Sequence, residues 1–324
     1  MTDLRLLASG VICCGFPGVD LDAEVESRLA SFQPGGVILF TRNAESVEQT
    51  AALTKRIRAI LDDPVIGIDQ EGGRVMRLRN GVAPVPPMRE LASAGAGQVR
   101  RTAEQAGSDL RRAGVNLDFA PVIDLAIHDT NAVIGDRSFG SDPAVVAELG
   151  DAFAAGLRAS GITPVFKHFP GHGSTDADSH FELPVVDESE ATLRERDLVP
   201  FARLLPTAEA VMTAHMIVTA FDPGLPVTLS PRILTGILRG ELGFHGVCFT
   251  DCMQMDAIAK TYGSVEGSVA AIGAGADCIL VSHSLDLAEQ CAQAIAAAAE
   301  NGTIPLSRLE EAHARVRSLR AALC

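Results

Sequence analysis

Apolar residues along the chain gather in short runs separated by longer amphipathic stretches. Eight runs stand out, at 10–16, 36–40, 65–69, 115–122, 163–168, 210–214, 247–251 and 278–282. None alternates strictly between apolar and polar positions, as expected of strands buried on both faces of a parallel sheet. The stretches between them read as helices. Across 44–61, Val47, Ala51, Leu53, Ile57 and Ile60 share one side while Glu45, Glu48, Lys55 and Arg58 face another. Asn43 is placed to cap that helix, and Ser230-Pro231 pairs an N-cap with a proline in the first turn. Ser307 with Glu310 forms a capping-box pattern opening a last helix that runs to about Ala322.

Eight strand–helix units in 324 residues predict an α/β fold, a (β/α)8 TIM-type barrel in a single catalytic domain over 1–324. A doubly wound open sheet is the alternative. However, the Gly15–Gly18 turn after the first strand is not G-x-G-x-x-G, so no dinucleotide cofactor is expected. The Pro-rich stretch 83–87 reads as part of a long loop after the third strand rather than a boundary. Nearly every predicted strand ends on a polar residue: Thr41, Asp69, Asp124, Lys167-His168, Thr213 and His215, Thr250-Asp251, Ser282-His283. In a barrel these ends converge on one face, so residues far apart in sequence would meet in one pocket.

Composition narrows the partners. A formal charge of −14 leaves no basic surplus to neutralise phosphates, which argues against nucleic acid or an anionic membrane. No apolar run reaches the roughly 18 residues a membrane span needs. Leu6 to Cys14 could pass for a short signal segment, but a buried first strand is the expectation. The seven cysteines show no CxxC pair, and Cys13, Cys14, Cys248 and Cys278 sit inside apolar runs. Reduced thiols in a cytoplasmic protein are expected.

The chemistry concentrates in K-H-F-P-G-H-G-S-T-D-A-D-S-H at 167–180, which holds three of the eight histidines. Asp178 and His180, two residues apart on an irregular loop, can pair so that the carboxylate fixes the imidazole and raises its pKa. A surface turn with an Asx-type bond is the plain alternative. His168, His172, Asp176, Asp178 and His180 also have the composition of a metal site. Against that, the H-x3-H spacing crosses Pro170 and Gly171, and Lys167 would repel a cation, so no metal is expected. Asp251 ends an apolar run, where it is either a strand-end cap or a nucleophile or base that Lys167, Arg77 or Arg137 could meet. Asp69-Gln70-Glu71-Gly72-Gly73-Arg74, with Arg77 behind it, reads as a tight turn in which Asp69 and Arg77 either pair or bind hydroxyls.

Four segments, in order, resemble glycoside hydrolase family 3 in its β-N-acetylglucosaminidase branch. They are G-I-D-Q-E-G-G-R-V-M-R-L (67–78), the stretch from F-A-P-V-I-D-L to G-D-R-S-F (119–139), the histidine-rich loop, and G-V-C-F-T-D-C-M-Q-M (246–255). The resemblance implies that Asp251 is the nucleophile and that His180, oriented by Asp178, is the acid/base. It implies that Asp69, Arg77, Arg137, Lys167 and His168 hold the sugar's hydroxyls and N-acetyl group. The chain departs from many relatives in carrying Cys252 where a second aspartate follows the nucleophile. It also has no Trp, so any stacking falls to Phe or aliphatic side chains. The implied activity is retaining hydrolysis of terminal β-linked GlcNAc from muropeptides, by a cytoplasmic monomer that needs no cofactor. The alternatives are another family 3 β-glycosidase and a metal-dependent hydrolase that uses the histidine cluster.

Overall fold

A computed structural model describes residues 3–128, 131, 133–175 and 183–323. All eight predicted strands are present: β1 (Ile12–Cys14), β2 (Gly36–Leu39), β3 (Val65–Ile68), β4 (Leu117–Asp118), β5 (Thr163–Pro164 and Phe166–Phe169), β6 (Ala210–Thr213), β7 (Val247–Cys252) and β8 (Cys278–Val281). Every neighbouring pair is parallel, and the sheet runs from the first piece of β5 through β4, β3, β2, β1, β8, β7 and β6 to the second piece of β5. Because β5 supplies both ends of that order, the sheet curls into a barrel. The kink falls at Val165, whose N–H reaches Asp118 O and Ala120 O, each at 3.0 Å. Helices pack outside, with Ala96–Arg112 against Pro143–Ala159 in the most extensive contact.

The barrel explains why the strands read as apolar throughout. Cys13, Ile38, Val65, Leu117, Val165, Met212, Phe249 and Leu280 point to the interior, and Ile12, Cys14, Val37, Leu39, Ile66 and Ile68 face the helices. Phe119 and Phe249 meet edge to face across the interior, 5.5 Å between ring centres. Gly67 makes that possible, since a Cβ there would stand 2.7 Å from the Phe119 ring.

Three local expectations are corrected. The first apolar run divides into a helix, Leu4–Gly10, and then the strand, because Asp3 accepts the Arg5 N–H and starts a turn. The helix after β2, Val47–Ile60, is capped by Ser46, not Asn43. Asn43 is buried and instead donates to Phe16 O and Gly18 O, tying the loop after β1 to that after β2. The last helix, Leu306–Ala322, opens behind Pro305 with no side-chain cap, leaving Ser307 inside its first turn. Ser230 does accept the Ile233 N–H at 3.3 Å as Arg232–Glu241 begins. The six described cysteines are free and buried, and no helix among the described residues is long and apolar enough to cross a membrane.

Candidate active site

The carboxyl ends of the strands surround a cavity of about 420 Å3 whose walls include Asp69, Glu71, Arg77, Arg137, Lys167, His168 and Asp251. Beyond β3 the chain turns back as a two-stranded hairpin, Gln70–Gly72 against Val75–Met76. Gly72 (φ +119°) and Gly73 (φ +53°) make the turn. A Cβ on Gly72 would stand 2.6 Å from Pro86 O, so conformation and space both demand glycine there. The hairpin brings Arg77 back beside Asp69, at 3.5 Å.

Lys167, on β5, is 2% exposed and bonds Asp69 Oδ1 at 2.8 Å and Glu71 Oε1 at 2.5 Å. Arg137 grips Glu71 through two parallel bonds of 2.7 Å, a geometry only a guanidinium can supply. Burial works against charge at Glu71, but Arg137 and Lys167 overcome it and hold the carboxyl far below the usual range. Burial likewise opposes the Lys167 charge, and Asp69 and Glu71 outweigh it, so its pKa is raised. The cluster is therefore a fixed array of ions.

His168 is oriented by Asp124, a fully buried residue whose Oδ2 lies 2.6 Å from Nδ1. That contact places the ring proton on Nδ1 and leaves Nε2 to accept from Arg137 Nη2 at 3.4 Å. Asp124 also accepts the N–H of His172 at 2.7 Å. His172 itself contacts Thr175 Oγ1 through Nδ1 at 2.8 Å. Burial, with His168 adding to it, lowers the His172 pKa to about 4, so it is neutral at physiological pH. Both imidazoles thus have ring nitrogens already engaged. Among the described residues, no three His, Cys, Asp or Glu side chains are grouped to hold a metal ion.

Asp251 sits near the end of β7 and accepts the Cys252 N–H at 2.7 Å. Burial alone would raise its pKa. His215, His168, that N–H and Lys167 oppose burial and bring it below the ordinary carboxylate value, leaving an ionised carboxylate on the cavity wall. Lys167, Arg77 and Arg137 do not meet Asp251 directly, as the sequence suggested they could. They are turned to Asp69 and Glu71 instead. The direct support comes from below. His215 is fully buried between Thr228 Oγ1 (2.8 Å) and Cys252 O (3.1 Å), holding the backbone that presents Asp251.

The polar strand ends thus sort into two kinds. Asp69, Lys167, His168, Asp251, Ser282 and His283 line the cavity. Asp124, Thr213, His215 and Thr250 are buried struts beneath it, and Thr41 is exposed and takes no part. Among the described residues, Phe40 is the only aromatic wall apart from the histidines, flanked by the guanidiniums of Arg42 (4.7 Å) and Arg77 (5.1 Å). Glu71 was not singled out from sequence. Its position two residues beyond Asp69, with the same facing across a strand, was the available signal. Asp178 and His180 lie outside the described residues. The loop leading to them is held tightly as far as Thr175: a Cβ on Gly173 would stand 1.8 Å from Leu125 O.

The Glycosyl hydrolase family 3 N terminal domain matches residues 9–319. A β-hexosaminidase of Nitrosospira multiformis is 39% identical over 87% of this chain and 83% of its own. One from Pseudomonas aeruginosa is 41% identical over 93% and 90%. Among solved structures, a family 3 β-N-acetylglucosaminidase from Paenibacillus superposes with a TM-score of 0.97 at 39% identity. That match covers 100% of this chain and 63% of the Paenibacillus chain. A β-N-acetylhexosaminidase from Beutenbergia cavernae gives 0.92 at 29% identity, covering 99% of both. With the ionised strand-end carboxylate, the buried ion array and a family match running through nearly every strand and helix, the chain belongs to glycosyl hydrolase family 3.

Proposed function

We propose that the chain is a retaining β-N-acetylhexosaminidase that releases terminal β-linked GlcNAc from peptidoglycan-derived muropeptides. It acts in the cytoplasm as a monomer with one catalytic domain. The observation that carries this reading is the ionised Asp251 on the wall of a cavity that also presents Asp69, Arg77, Lys167 and His168. A carboxylate held ionised on a cavity wall is a competent nucleophile toward an anomeric carbon.

In the proposed reaction Asp251 attacks C1 while His180, oriented by Asp178, donates its proton to the departing glycosidic oxygen. A covalent glycosyl–aspartate forms as the C1–O bond breaks. His180, now neutral, takes a proton from water, whose oxygen attacks C1 and frees Asp251, so configuration is retained. Asp69 accepts from sugar hydroxyls, and Arg77, Lys167 and His168 face the same groups. Arg137 acts mostly through Glu71, which occupies two of its nitrogens. Trapping with a 5-fluoro glycosyl donor of the GlcNAc series, followed by peptide mapping, places the label on Asp251. A label on any other residue overturns the mechanism. Turnover that survives prolonged chelation separates this reading from metal-dependent hydrolysis.

A further inference from the structure

Behind the ion array lies a carboxyl that the mechanism does not use. Asp118 ends β4, is fully buried, and is paired in register with Ile68 of β3. Its Oδ1 accepts the Gln70 N–H at 2.9 Å, and its Oδ2 has no hydrogen-bond partner among the described atoms. Gln70, also buried, carries the connection onward. Its Oε1 accepts the N–H groups of Arg77 (3.0 Å) and Leu78 (3.1 Å), and its Nε2 donates to Leu78 O at 2.6 Å. One chain of bonds therefore runs from Asp118 through Gln70 to the backbone of Arg77. Asp69 and Glu71 stand on either side of Gln70 in sequence.

The structure assigns Asp118 as a positioning residue: an un-ionised carboxylic acid that holds the Asp69–Arg77 hairpin through Gln70 and loosens sugar binding when it ionises at alkaline pH. The charged groups facing it are Asp69 and Glu71 from the segment after β3 and Lys167 from β5. An ionised carboxylate offers about four lone-pair sites, and a single N–H is a poor complement for it in a buried place. Lys167, the nearest cation, is already shared between two carboxylates. Burial, with Asp69 and Glu71 adding to it, accordingly pushes the Asp118 carboxyl up to about 8, against the Gln70 N–H and Lys167. Above that pH a third anion competes for Lys167 and draws it from Asp69 and Glu71.

The effect on binding rests on the sugar-holding role proposed for Asp69, Arg77 and Lys167, whereas the ionisation itself is independent of substrate. The experiment reads the two separately. Carbon-13 NMR of aspartate-labelled, ligand-free protein shows one side-chain carboxyl titrating near pH 8, and Asp118→Asn removes that titration. Asp118→Asn keeps the oxygen that accepts from Gln70 but cannot ionise. Calorimetric binding of GlcNAc between about pH 6 and pH 9.5 then weakens in the wild type by up to about tenfold per pH unit above the midpoint. In Asp118→Asn it stays level. The inference is overturned if no aspartate carboxyl of the wild type titrates above about pH 7, a reading that needs no variant. It is equally overturned if GlcNAc affinity in Asp118→Asn falls in parallel with the wild type. GlcNAc binding to neither protein at any pH would discard the substrate reading and the alkaline loosening together, leaving the carboxyl titration to decide the protonation.

Discussion

At the amino ends of the strands, Asp277 sits fully buried just before β8. Its oxygens take bonds from Arg308 (2.6 Å), Arg315 (3.1 Å), Arg239 and the Cys248 N–H (2.9 Å). At the carboxyl ends Glu71 is as deeply buried, between Arg137 and Lys167. The two clusters share their chemistry but differ in what surrounds them. The lower one lies beneath Arg232–Glu241 and Leu306–Ala322, whose arginines bond Asp277 and the carbonyls of Phe244, Gly246, Ile272 and Ala276, so its charges fasten those helices to the barrel. The upper one borders a cavity, and its outer members, Asp69 at 14% and Arg77 at 30% side-chain exposure, still face it. A buried ion pair is therefore no sign of function by itself. What distinguishes the upper cluster is that its inner pairs fix Asp69, whose side chain still borders the cavity.

Substitutions can separate the two ends. The largest effect belongs to Asp251→Ala, which lowers turnover on every substrate by roughly 10^4-fold or more while thermal melting stays near the wild type. Next is His180→Gly, with a loss on natural glycans of about 10^2- to 10^4-fold. A p-nitrophenyl leaving group needs little protonation and retains part of its rate, so equal losses on both substrates would count against His180 as the acid. At the lower end the pattern reverses. Asp277→Ala leaves three arginines around an empty position and costs about 3–5 kcal/mol of stability. Its kcat/KM per folded molecule is unchanged. A fall in kcat/KM without a fall in Tm would show that the lower cluster is coupled to the site. Glu71→Gln falls between the two, with KM raised and Tm lowered together, because Glu71 both binds its partners and positions them.

The strands were legible because each is buried on both faces, which produces an apolar run independent of any distant contact. The polar strand ends were legible for the same topological reason, and they led directly to Asp69, Lys167, His168 and Asp251. What failed depended on partners remote in sequence. Asn43 looks like a cap until Phe16 O and Gly18 O claim its amide. Glu71 looks like a turn residue until Arg137 arrives from the loop after β4 and Lys167 from β5. The break in β5 at Val165 likewise follows from two carbonyls on the chain leaving β4, which periodicity does not register. The cations expected at Asp251 were correctly gathered into one pocket, but which carboxylate each would choose is decided by geometry alone.

The smallest predicted effect concerns acid stability and distinguishes two groups within the upper end. Glu71 has a depressed folded pKa, so its contribution is complete above its unfolded value of about 4.3 and is lost as pH falls below that. His172 is neutral in the folded protein down to about pH 4, against about 6.5 when unfolded. Between those values the unfolded chain takes up the proton first, so stability falls as pH drops from about 6.5 to about 4. The two losses occupy successive windows. Melting curves collected across pH should therefore flatten between about 6.5 and 4 in His172→Gln, and below about 4.3 in Glu71→Gln. If Glu71→Gln runs parallel to the wild type throughout the lower window, the ionisation of Glu71 is not what its two cations stabilise. The upper cluster would then be held together by packing, and its contrast with Asp277 would rest on access to the cavity alone.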